Sequence, residues 1–439
     1  MKEKITANLQ CVLRALCAGL IPFFVCVHLC SSVASVAAAC TGDCDGNHFV
    51  DPLEIAAGVE IALARAPLEP CFPLDPEGDG AAIDDLVRAV GRGLDGCHEQ
   101  TQAFVVTTNF MAGSFATVDL GDRSVSRSTP QRRIHSDAVV RTRGGLIYVV
   151  NRRFGDNLQI LDPGDGFRTQ LQCSTGNGTN PHDIAFASDD KAYMSLFEKR
   201  ELLVVNPRAQ PNCSDFVRGS IDLRSVADDD GVPDMDQMAV VGNRLYVALQ
   251  RLDIDSILRL PAENGALAVI DIDTDELVGT IELSGQNPFA ATKGLTVRGG
   301  KIYVAQAGLF NVMDGGIERV DLASGRAEGF FITEEDLGGD VTDFALVSDR
   351  RAYAIVSRPG FSTALVAFDP SASQVIDTVT AVSGYTLFDI ELNDRGEIFL
   401  ADRNRQSNGL RIYRAADGSA LMDAPLDLGL SPFEIVFLP

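Results

Sequence analysis

Residues 147–149, Ile147-Tyr148-Val149, form a short β-type run centred on an aromatic residue, and this pattern recurs along most of the chain. Later copies follow at spacings of 45, 53, 57, 50 and 46 residues, as Ala192-Tyr193-Met194, Leu245-Tyr246-Val247, Ile302-Tyr303-Val304, Ala352-Tyr353-Ala354 and Ile398-Phe399-Leu400. Phe104 lies 44 residues before Tyr148 and adds a seventh copy. Such a period suits the four-stranded blade of a propeller. The sequence therefore predicts a mainly β fold, with a seven-bladed β-propeller over residues 102–439.

Each aromatic run except the first is preceded by another short strand. The missing strand is found at the far end of the chain, where Ser431-Pro432-Phe433-Glu434-Ile435-Val436-Phe437 has the spacing of Asn180-Pro181-His182-Asp183-Ile184-Ala185-Phe186. We expect this C-terminal strand to complete the first blade and close the ring, because it would pair edges that are otherwise exposed.

The run Tyr148-Val149-Val150-Asn151, with Ala268-Val269-Ile270-Asp271 and the stretch Asp275–Ile281, resembles the YVTN-type repeat propellers of exported and surface proteins. The resemblance covers residues 102–439 and implies the fold. It implies little about chemistry, because propellers include both binding proteins and enzymes.

Acidic residues recur where the innermost strand of each blade should begin, at the central channel. Six blades have such an acid and the remaining blade has Gly294; the acids are Asp137, Asp183, Asp236, Asp343, Asp389 and Glu434. With His135 and His182 beside them, these carboxylates would form a ring that binds a cation or a polar ligand. The alternative is that each acid caps a loop or accepts hydrogen bonds from neighbouring backbone amides.

The segment from Asp43 to Glu54 has oxygen-bearing residues at the ligand positions of a twelve-residue EF-hand loop. The expected calcium ligands are the side chains or carbonyls of Asp43, Asp45, Asn47, Phe49, Asp51 and Glu54. His48 stands where glycine usually forms the sharp turn, which lowers the expected affinity.

The helix-like stretch after this loop, Glu54 to Leu63, is matched in residue type by Asp85 to Leu94. A second loop precedes that copy and is one residue shorter. Its expected calcium ligands are Asp75, Glu77, Asp79 and Asp85, and the alternative is a loop kept only for its turn.

Together the two loops and their helices, from Cys40 to Cys97, resemble a dockerin, the paired calcium-loop module that binds a cohesin. The resemblance implies a small α-helical domain over residues 40–101 with calcium as its cofactor. In dockerins, the residues at loop positions 10 and 11 contact the cohesin. Here the first loop has Pro52 and Leu53 at these positions, and Asp84 lies near the equivalent place in the second loop. A cohesin partner is therefore not supported.

Residues 1–39 have the pattern of a secretory signal, because Lys2, Lys4 and Arg14 precede the apolar run Ala15 to Val27, and the small residues Ala37-Ala38-Ala39 follow as a cleavage site. Cleavage there leaves an even number of cysteines, which suits disulfides in an oxidising compartment: Cys40, Cys44, Cys71, Cys97, Cys173 and Cys213. We expect the first four to hold the calcium domain together and the last two to pair. The chain would be secreted, periplasmic or at the cell surface; a lipid anchor on Cys40 is the alternative to a soluble form. No later stretch is apolar enough for a transmembrane helix.

The formal net charge is −24, which disfavours nucleic acid as a partner. The acidic run from Asp228 to Asp236 matches no fixed calcium loop and is interpreted as a solvated turn. No motif for a nucleophile, a zinc protease or a phosphate-binding loop is found.

Three functions therefore stay open at the level of the sequence. The leading interpretation is an exported calcium-binding propeller that binds a ligand, or a protein or glycan partner, at the cell surface. The alternatives are a metal-dependent hydrolase or lactonase-like enzyme, with channel acids holding the metal and His182 as base, and a subunit that docks on a scaffold through its calcium module.

Overall fold

The computed structural model describes residues 42, 50, 52–66, 86, 89, 100–129, 132–253, 259–289 and 293–439. The predicted signal, most of the predicted calcium loops, and Cys40, Cys44, Cys71 and Cys97 lie outside these residues. In the N-terminal part, helix α1 (Pro52–Ala62) begins at the end of the first predicted loop, as the sequence predicts.

The rest of the described chain is almost entirely β-structure, joined by a one-turn helix α2 (Glu334–Leu337) between the fifth and sixth blades. The strands in chain order are β1 (Gln102–Thr108), β2 (Gly113–Asp119), β3 (Val125–Arg127), β4 (Ala138–Arg143), β5 (Leu146–Asn151), β6 (Asn157–Asp162), β7 (Arg168–Ser174), β8 (Pro181–Phe186), β9 (Ala192–Leu196), β10 (Glu201–Val205), β11 (Val217–Asp222), β12 (Met235–Val241), β13 (Arg244–Leu249), β14 (Ala266–Asp271), β15 (Glu276–Glu282), β16 (Thr296–Arg298), β17 (Lys301–Gln306), β18 (Gly316–Asp321), β19 (Arg326–Thr333), β20 (Asp340–Ser348), β21 (Arg351–Arg358), β22 (Ser362–Asp369), β23 (Gln374–Ser383), β24 (Leu387–Leu392), β25 (Glu397–Asp402), β26 (Gly409–Arg414) and β27 (Pro432–Leu438).

These strands form seven antiparallel sheets, which confirms the predicted seven-bladed propeller. The first blade has the order β27-β1-β2-β3, the next five each take four consecutive strands from β4 to β23, and the seventh is β24-β25-β26. Bridges from Leu410 to Leu426 and from Tyr413 to Ala420 add a fragment of a fourth strand to the seventh blade.

The C-terminal strand closes the ring as the sequence predicts. In the antiparallel pair of β27 with β1, Gln102 lies opposite Leu438 and Val106 lies opposite Glu434. Residues 432–438 therefore provide the innermost strand of the first blade, and they pair the edge of β1 that would otherwise face the channel.

The aromatic residues that set the period lie in the second strand of each blade, where both faces of the sheet are covered by neighbouring blades. Phe104, Tyr193, Tyr353 and Phe399 are fully buried. Two of the tyrosines also bind the next blade, because the Tyr193 hydroxyl donates to Asp275 Oδ1 (2.5 Å) and the Tyr353 hydroxyl donates to the Ala415 carbonyl (2.7 Å). The outermost strands, such as β11, are mostly exposed.

A disulfide joins Cys173 on β7 to Cys213 in the loop after β10, as predicted from cysteine parity. It links the second and third blades at their outer rim. No helix among the described residues is long and apolar enough to cross a membrane.

The two faces of the propeller differ in the turns they carry. We define the upper face as the one that carries the turns between the second and third strands of each blade and the beginnings of the innermost strands. The lower face carries the turns between the first and second strands. This distinction follows from the antiparallel order of the strands in every blade.

Candidate functional site

Four of the predicted channel acids hold neighbouring blades together. Each accepts a hydrogen bond from the backbone N–H of the next blade's innermost strand: Asp183 from Met238 (2.8 Å), Asp343 from Ile390 (3.0 Å), Asp389 from Ile435 (2.8 Å) and Glu434 from Val140. Asp183 and Asp343 also accept the N–H of the residue that follows them. These four acids, the channel ring, therefore make the backbone contacts that the sequence analysis gave as the alternative to ligand binding.

Two partly buried cations pair with the channel ring, with side-chain exposures of 19% for Arg141 and 14% for Lys293. Arg141 on β4 lies 2.8 Å from Asp183 Oδ1 and 2.7 Å from Glu434 Oε1. Lys293 lies 3.4 Å from Asp343 Oδ1 and 3.2 Å from Glu391 Oε1, and it donates to the carbonyls of Phe344 and Ile390. A Cβ at Gly294 would lie 3.2 Å from the Met238 carbonyl oxygen, a tight contact, and in ordinary contact with Asp183 Oδ2 (3.5 Å) and Arg141 Nε (3.6 Å).

Burial governs the protonation of these groups. It raises the pKa of Asp183 and Asp343, and the cations oppose that shift. The pKa of Asp389 is raised well above its usual range by burial and by the nearby carboxyl groups of Glu391 and Asp343. The channel ring thus consists of carboxyl groups that already have protein partners, and cation binding by it stays a prediction. Within the described part of the chain, no cluster of three or more His, Cys, Asp or Glu side chains is arranged to hold a metal ion.

The other two predicted acids lie outside this ring. At the strand position that the channel ring occupies, the second blade has Val139 and the fourth blade has Gln237. In the second blade, Asp137 precedes β4. In the fourth blade, the pairing of β12 with β13 shifts register between Met235 and Met238. Asp137 instead pairs with Arg152 (2.6 Å).

Asp236 contacts His182 near the upper channel mouth. His182 Nδ1 lies 3.0 Å from Asp236 Oδ1, Gln250 Nε2 donates to Asp236 Oδ2 (2.6 Å), and the imidazole stacks on Phe197 with 4.3 Å between ring centroids. The other predicted histidine, His135, contacts the Asp137 backbone. A base at His182 stays a prediction.

The acidic run before β12 is partly buried rather than fully solvated. Asp234 is completely buried, and its Oδ2 accepts the Leu252 N–H (2.8 Å). Its Oδ1 has no hydrogen bond among the described residues and lies 3.6 Å from Arg259 Nη1. Burial raises the pKa of Asp234 to about 7, and the neighbouring acids Asp230 and Asp228 add to that shift.

In the predicted calcium module, only the last ligand of the first loop can be placed. Glu54 lies in the first turn of α1 and is only 9% exposed. Asp43, Asp45, Asn47, Phe49, Asp51, Asp75, Glu77, Asp79 and Asp85 lie outside the described residues.

An aromatic pocket that the sequence analysis missed opens on the upper face between the fifth, sixth and seventh blades. Its volume is about 270 Å³, and its lining residues are Phe289, Phe310, Asn311, Asp340, Thr342, Ser357, Thr363, Tyr385, Leu387 and Phe388. The sequence signal for this pocket is the presence of aromatic residues in loops: Phe289 and Tyr385 precede innermost strands, and Phe310 lies in the turn between β17 and β18. These residues are far apart along the chain, so their meeting depends on the closed ring.

A larger cavity of about 730 Å³ occupies the lower end of the channel. Its walls are apolar residues of the innermost strands, and Arg141, Lys293 and Glu391 form polar parts of its lining.

Comparisons with known proteins agree with the fold. No family model and no curated protein matches the chain, so the dockerin and YVTN-type resemblances are not confirmed. Among solved structures, the dihydro-heme d1 dehydrogenase NirN in complex with DHE has a TM-score of 0.50 at 14% identity, over 77% of this chain and 75% of that chain. Apo AztD from Citrobacter koseri has a TM-score of 0.48 at 11% identity, over 77% and 98%. The hydrazine synthase of Kuenenia stuttgartiensis has a TM-score of 0.47 at 14% identity, over 66% and 80%. At 14% identity, the likeness to NirN shows the propeller fold alone.

Proposed function

We propose that this chain is an exported binding protein whose propeller holds an aromatic or apolar group of a ligand in the pocket on its upper face. The observation that carries the proposal is the pocket itself, which combines four aromatic side chains with a few polar groups in one concave site. Ligand sites in proteins have this composition. The disulfide between the second and third blades is consistent with an oxidising compartment.

Aromatic contacts hold the pocket walls in place. Phe289 and Phe310 meet edge to face with 5.8 Å between their centroids, and Tyr385 at the rim meets Phe361 in the same way at 4.7 Å. Such pairs are rigid and leave ring faces and edges free for a further aromatic group. A volume of about 270 Å³ is close to the lower limit for small-molecule pockets, so the pocket suits one ring system rather than a large ligand.

The polar groups lie on one side of the pocket. Both carboxylate oxygens of Asp340 accept the Asn311 N–H (3.0 and 2.9 Å), and the Tyr385 hydroxyl donates to Asn311 Oδ1 (3.2 Å). Burial raises the pKa of Asp340, and two hydrogen bonds to one backbone donor leave acceptor capacity on its oxygens. A ligand with a hydroxyl or amine beside its ring would satisfy that capacity.

The test uses 2-naphthol, a neutral fluorescent probe that consists of one fused ring system with a hydroxyl group. We expect saturable binding of one probe per chain, and at least a tenfold loss of affinity in Thr342→Phe, which fills the pocket. The matched control is Ser220→Phe, on the exposed outer strand β11, which should bind the probe normally. Equal binding by all three proteins would show that the pocket is not the site.

The second part of the proposal is calcium binding by the N-terminal loops. It is supported by the ligand spacing from Asp43 to Glu54 and by the low exposure of Glu54 at the start of α1, where a closing bidentate ligand belongs. Calorimetric titration of the chelator-treated chain should show one or two sites that Asp43→Ala removes and the control Asp229→Ala retains. Heat that persists in Asp43→Ala would assign calcium to another part of the chain.

A further inference from the structure

Exposed aromatic side chains are confined to the upper face. Among the described residues, every aromatic side chain that is exposed lies in a turn of this face: Phe110, Phe154, Phe310, Phe361 and Tyr385. Met111, at the tip of the β1–β2 turn, is 90% exposed, and Phe154, at the tip of the β5–β6 turn, is 86% exposed. Single exposed apolar residues are common, but a set gathered on one face marks an interaction surface.

Three of these turns hold a phenylalanine in a strained backbone conformation, which lowers the stability of the fold. Phe110, Phe154 and Phe361 have φ values of 63°, 70° and 65°, in the left-handed region that glycine and asparagine adopt readily and bulky residues avoid. Nothing in the packing of the propeller rewards a phenylalanine at Phe154, because its side chain points into solvent. A strained and exposed position of this kind indicates a role outside the folded chain.

Arginines accompany the aromatic tips in three adjacent blades. The turn of the seventh blade carries Arg403 and Arg405, that of the first blade carries Phe110 and Met111, and that of the second blade carries Arg153 and Phe154. We call these six residues the arginine–phenylalanine patch. Its parts are in contact, because the Arg403 guanidinium lies 4.6 Å from the Phe110 ring centroid and the Arg153 guanidinium lies 5.3 Å from that of Phe154. Phe110 in turn contacts Phe433, on which Arg152 also packs.

The patch is cationic on a chain with a net charge of −24. Arg153, Arg403 and Arg405 have no ion pair with a described carboxylate, unlike Arg152, which pairs with Asp137. The Arg403 guanidinium donates instead to the carbonyls of Thr108 and Pro432, which leaves its charge uncompensated. Burial lowers the pKa of Arg403 to about 10, so it stays charged at neutral pH.

We propose that the arginine–phenylalanine patch docks this protein on an anionic lipid surface. Projecting aromatic and methionine side chains insert at the level of the lipid headgroups, where amphipathic and apolar rings are favoured, and arginines beside them attract anionic headgroups. A protein partner would be expected to meet a concave, well-packed anchor site, whereas these side chains project from convex turns. Because the rest of the surface is acidic, the patch also sets the orientation: the upper face turns toward the lipid.

The experiment is co-sedimentation of the exported chain with vesicles of phosphatidylcholine alone or with about a third phosphatidylglycerol. We expect binding to the anionic vesicles and its loss in about 0.5 M salt, since the arginine contribution is screened there. Arg153→Gln should lower the partition coefficient about fivefold and Phe154→Ser about tenfold, with unchanged thermal unfolding because both side chains are exposed.

The matched controls are exposed residues of the same type on outer strands, Arg218→Gln on β11 and Ile376→Ser on β23, which should bind like the unaltered chain. Absence of binding to anionic vesicles at low salt would overturn the proposal and leave the patch to a protein partner. Equal binding to both vesicle types, or binding unaffected by Arg153→Gln and Phe154→Ser, would overturn it as well. The test is independent of the aromatic pocket, since neither variant touches a pocket residue.

Discussion

The channel ring and the arginine–phenylalanine patch use the same kinds of residue in opposite ways. In the channel, Arg141 is partly buried between Asp183 and Glu434, and every charged group has a partner in another blade. On the upper face, Arg153 is exposed beside Phe154 and has no carboxylate partner among the described residues. Charge in the interior of this propeller therefore holds blades together, while the arginine charges of the patch have no carboxylate partner among the described residues.

The largest expected effect comes from breaking the channel ring at Arg141→Met. The substitution leaves two carboxylates buried without their cation, so the free energy of unfolding should fall by about 3–5 kcal/mol. Urea denaturation followed by circular dichroism measures it. The control is Arg143→Met, two residues along β4, whose guanidinium is half exposed and pairs with exposed Asp189. Neutralising the acids as well, in Arg141→Met with Asp183→Asn and Glu434→Gln, should restore part of the loss. Equal stability of Arg141→Met and Arg143→Met would contradict the role given to the ring.

An intermediate effect is expected from Asp234→Asn, which removes a buried carboxyl group near the upper mouth of the channel. The pKa of Asp234 is about 7 in the folded chain and close to 3.8 when unfolded, so the folded state binds the proton more tightly. The contribution of the Asp234 carboxyl group to the free energy of unfolding is largest below the pKa of the unfolded state, and it is lost as the pH rises through 7. From about pH 5.5 to about pH 8.5, the free energy of unfolding of the unaltered chain should fall by about 2 kcal/mol, and that of the variant should not show this fall.

Thermal and urea unfolding at the two pH values measure this difference. Asn can still accept the Leu252 N–H, so the hydrogen bond at Oδ2 is preserved. Asp229→Asn, one of the exposed acids of the same loop, is the control and should follow the unaltered chain. Parallel pH profiles for Asp234→Asn and the unaltered chain would show that Asp234 does not titrate in this range.

The smallest effect, with the opposite sign, is expected from Phe154→Gly. Glycine adopts the observed φ of 70° without strain, and the exposed ring loses little burial, so the free energy of unfolding should stay level or rise by up to about 1 kcal/mol. Urea unfolding at matched protein concentration is sufficient. Arg141→Met should lower the free energy of unfolding, whereas Phe154→Gly should not. A fall of more than about 1 kcal/mol would mean that the turn packs into the fold and is not free for a partner.

Much of the fold could be predicted because its signals are periodic. The seven aromatic runs, the strand at residues 431–437 and the pairing of Cys173 with Cys213 each depend on spacing or parity, which a sequence displays directly. Four of the six acids share one position of the innermost strand. Asp137 instead precedes β4, and Asp236 lies one position away because a register shift in β12 moves a side chain without any mark in the sequence.

The aromatic pocket and the patch could not be predicted in this way. Phe289, Asp340 and Leu387 come from three blades and meet only when the ring is closed. The left-handed backbone of Phe110 and Phe154 is also invisible in the sequence, since phenylalanine is not a residue that signals a turn.

Closure by the C-terminal strand has a consequence for the order of folding. Thr101 Oγ1 donates to the Pro439 carbonyl, and the two residues are 338 positions apart, so this contact joins nearly the two ends of the propeller. Contacts of such long range slow folding. Since Glu434 on that same strand also binds the second blade, a nascent chain that still lacks its final residues has neither a complete first blade nor its junction with the second. The propeller therefore reaches its native state only after β27 has been synthesised.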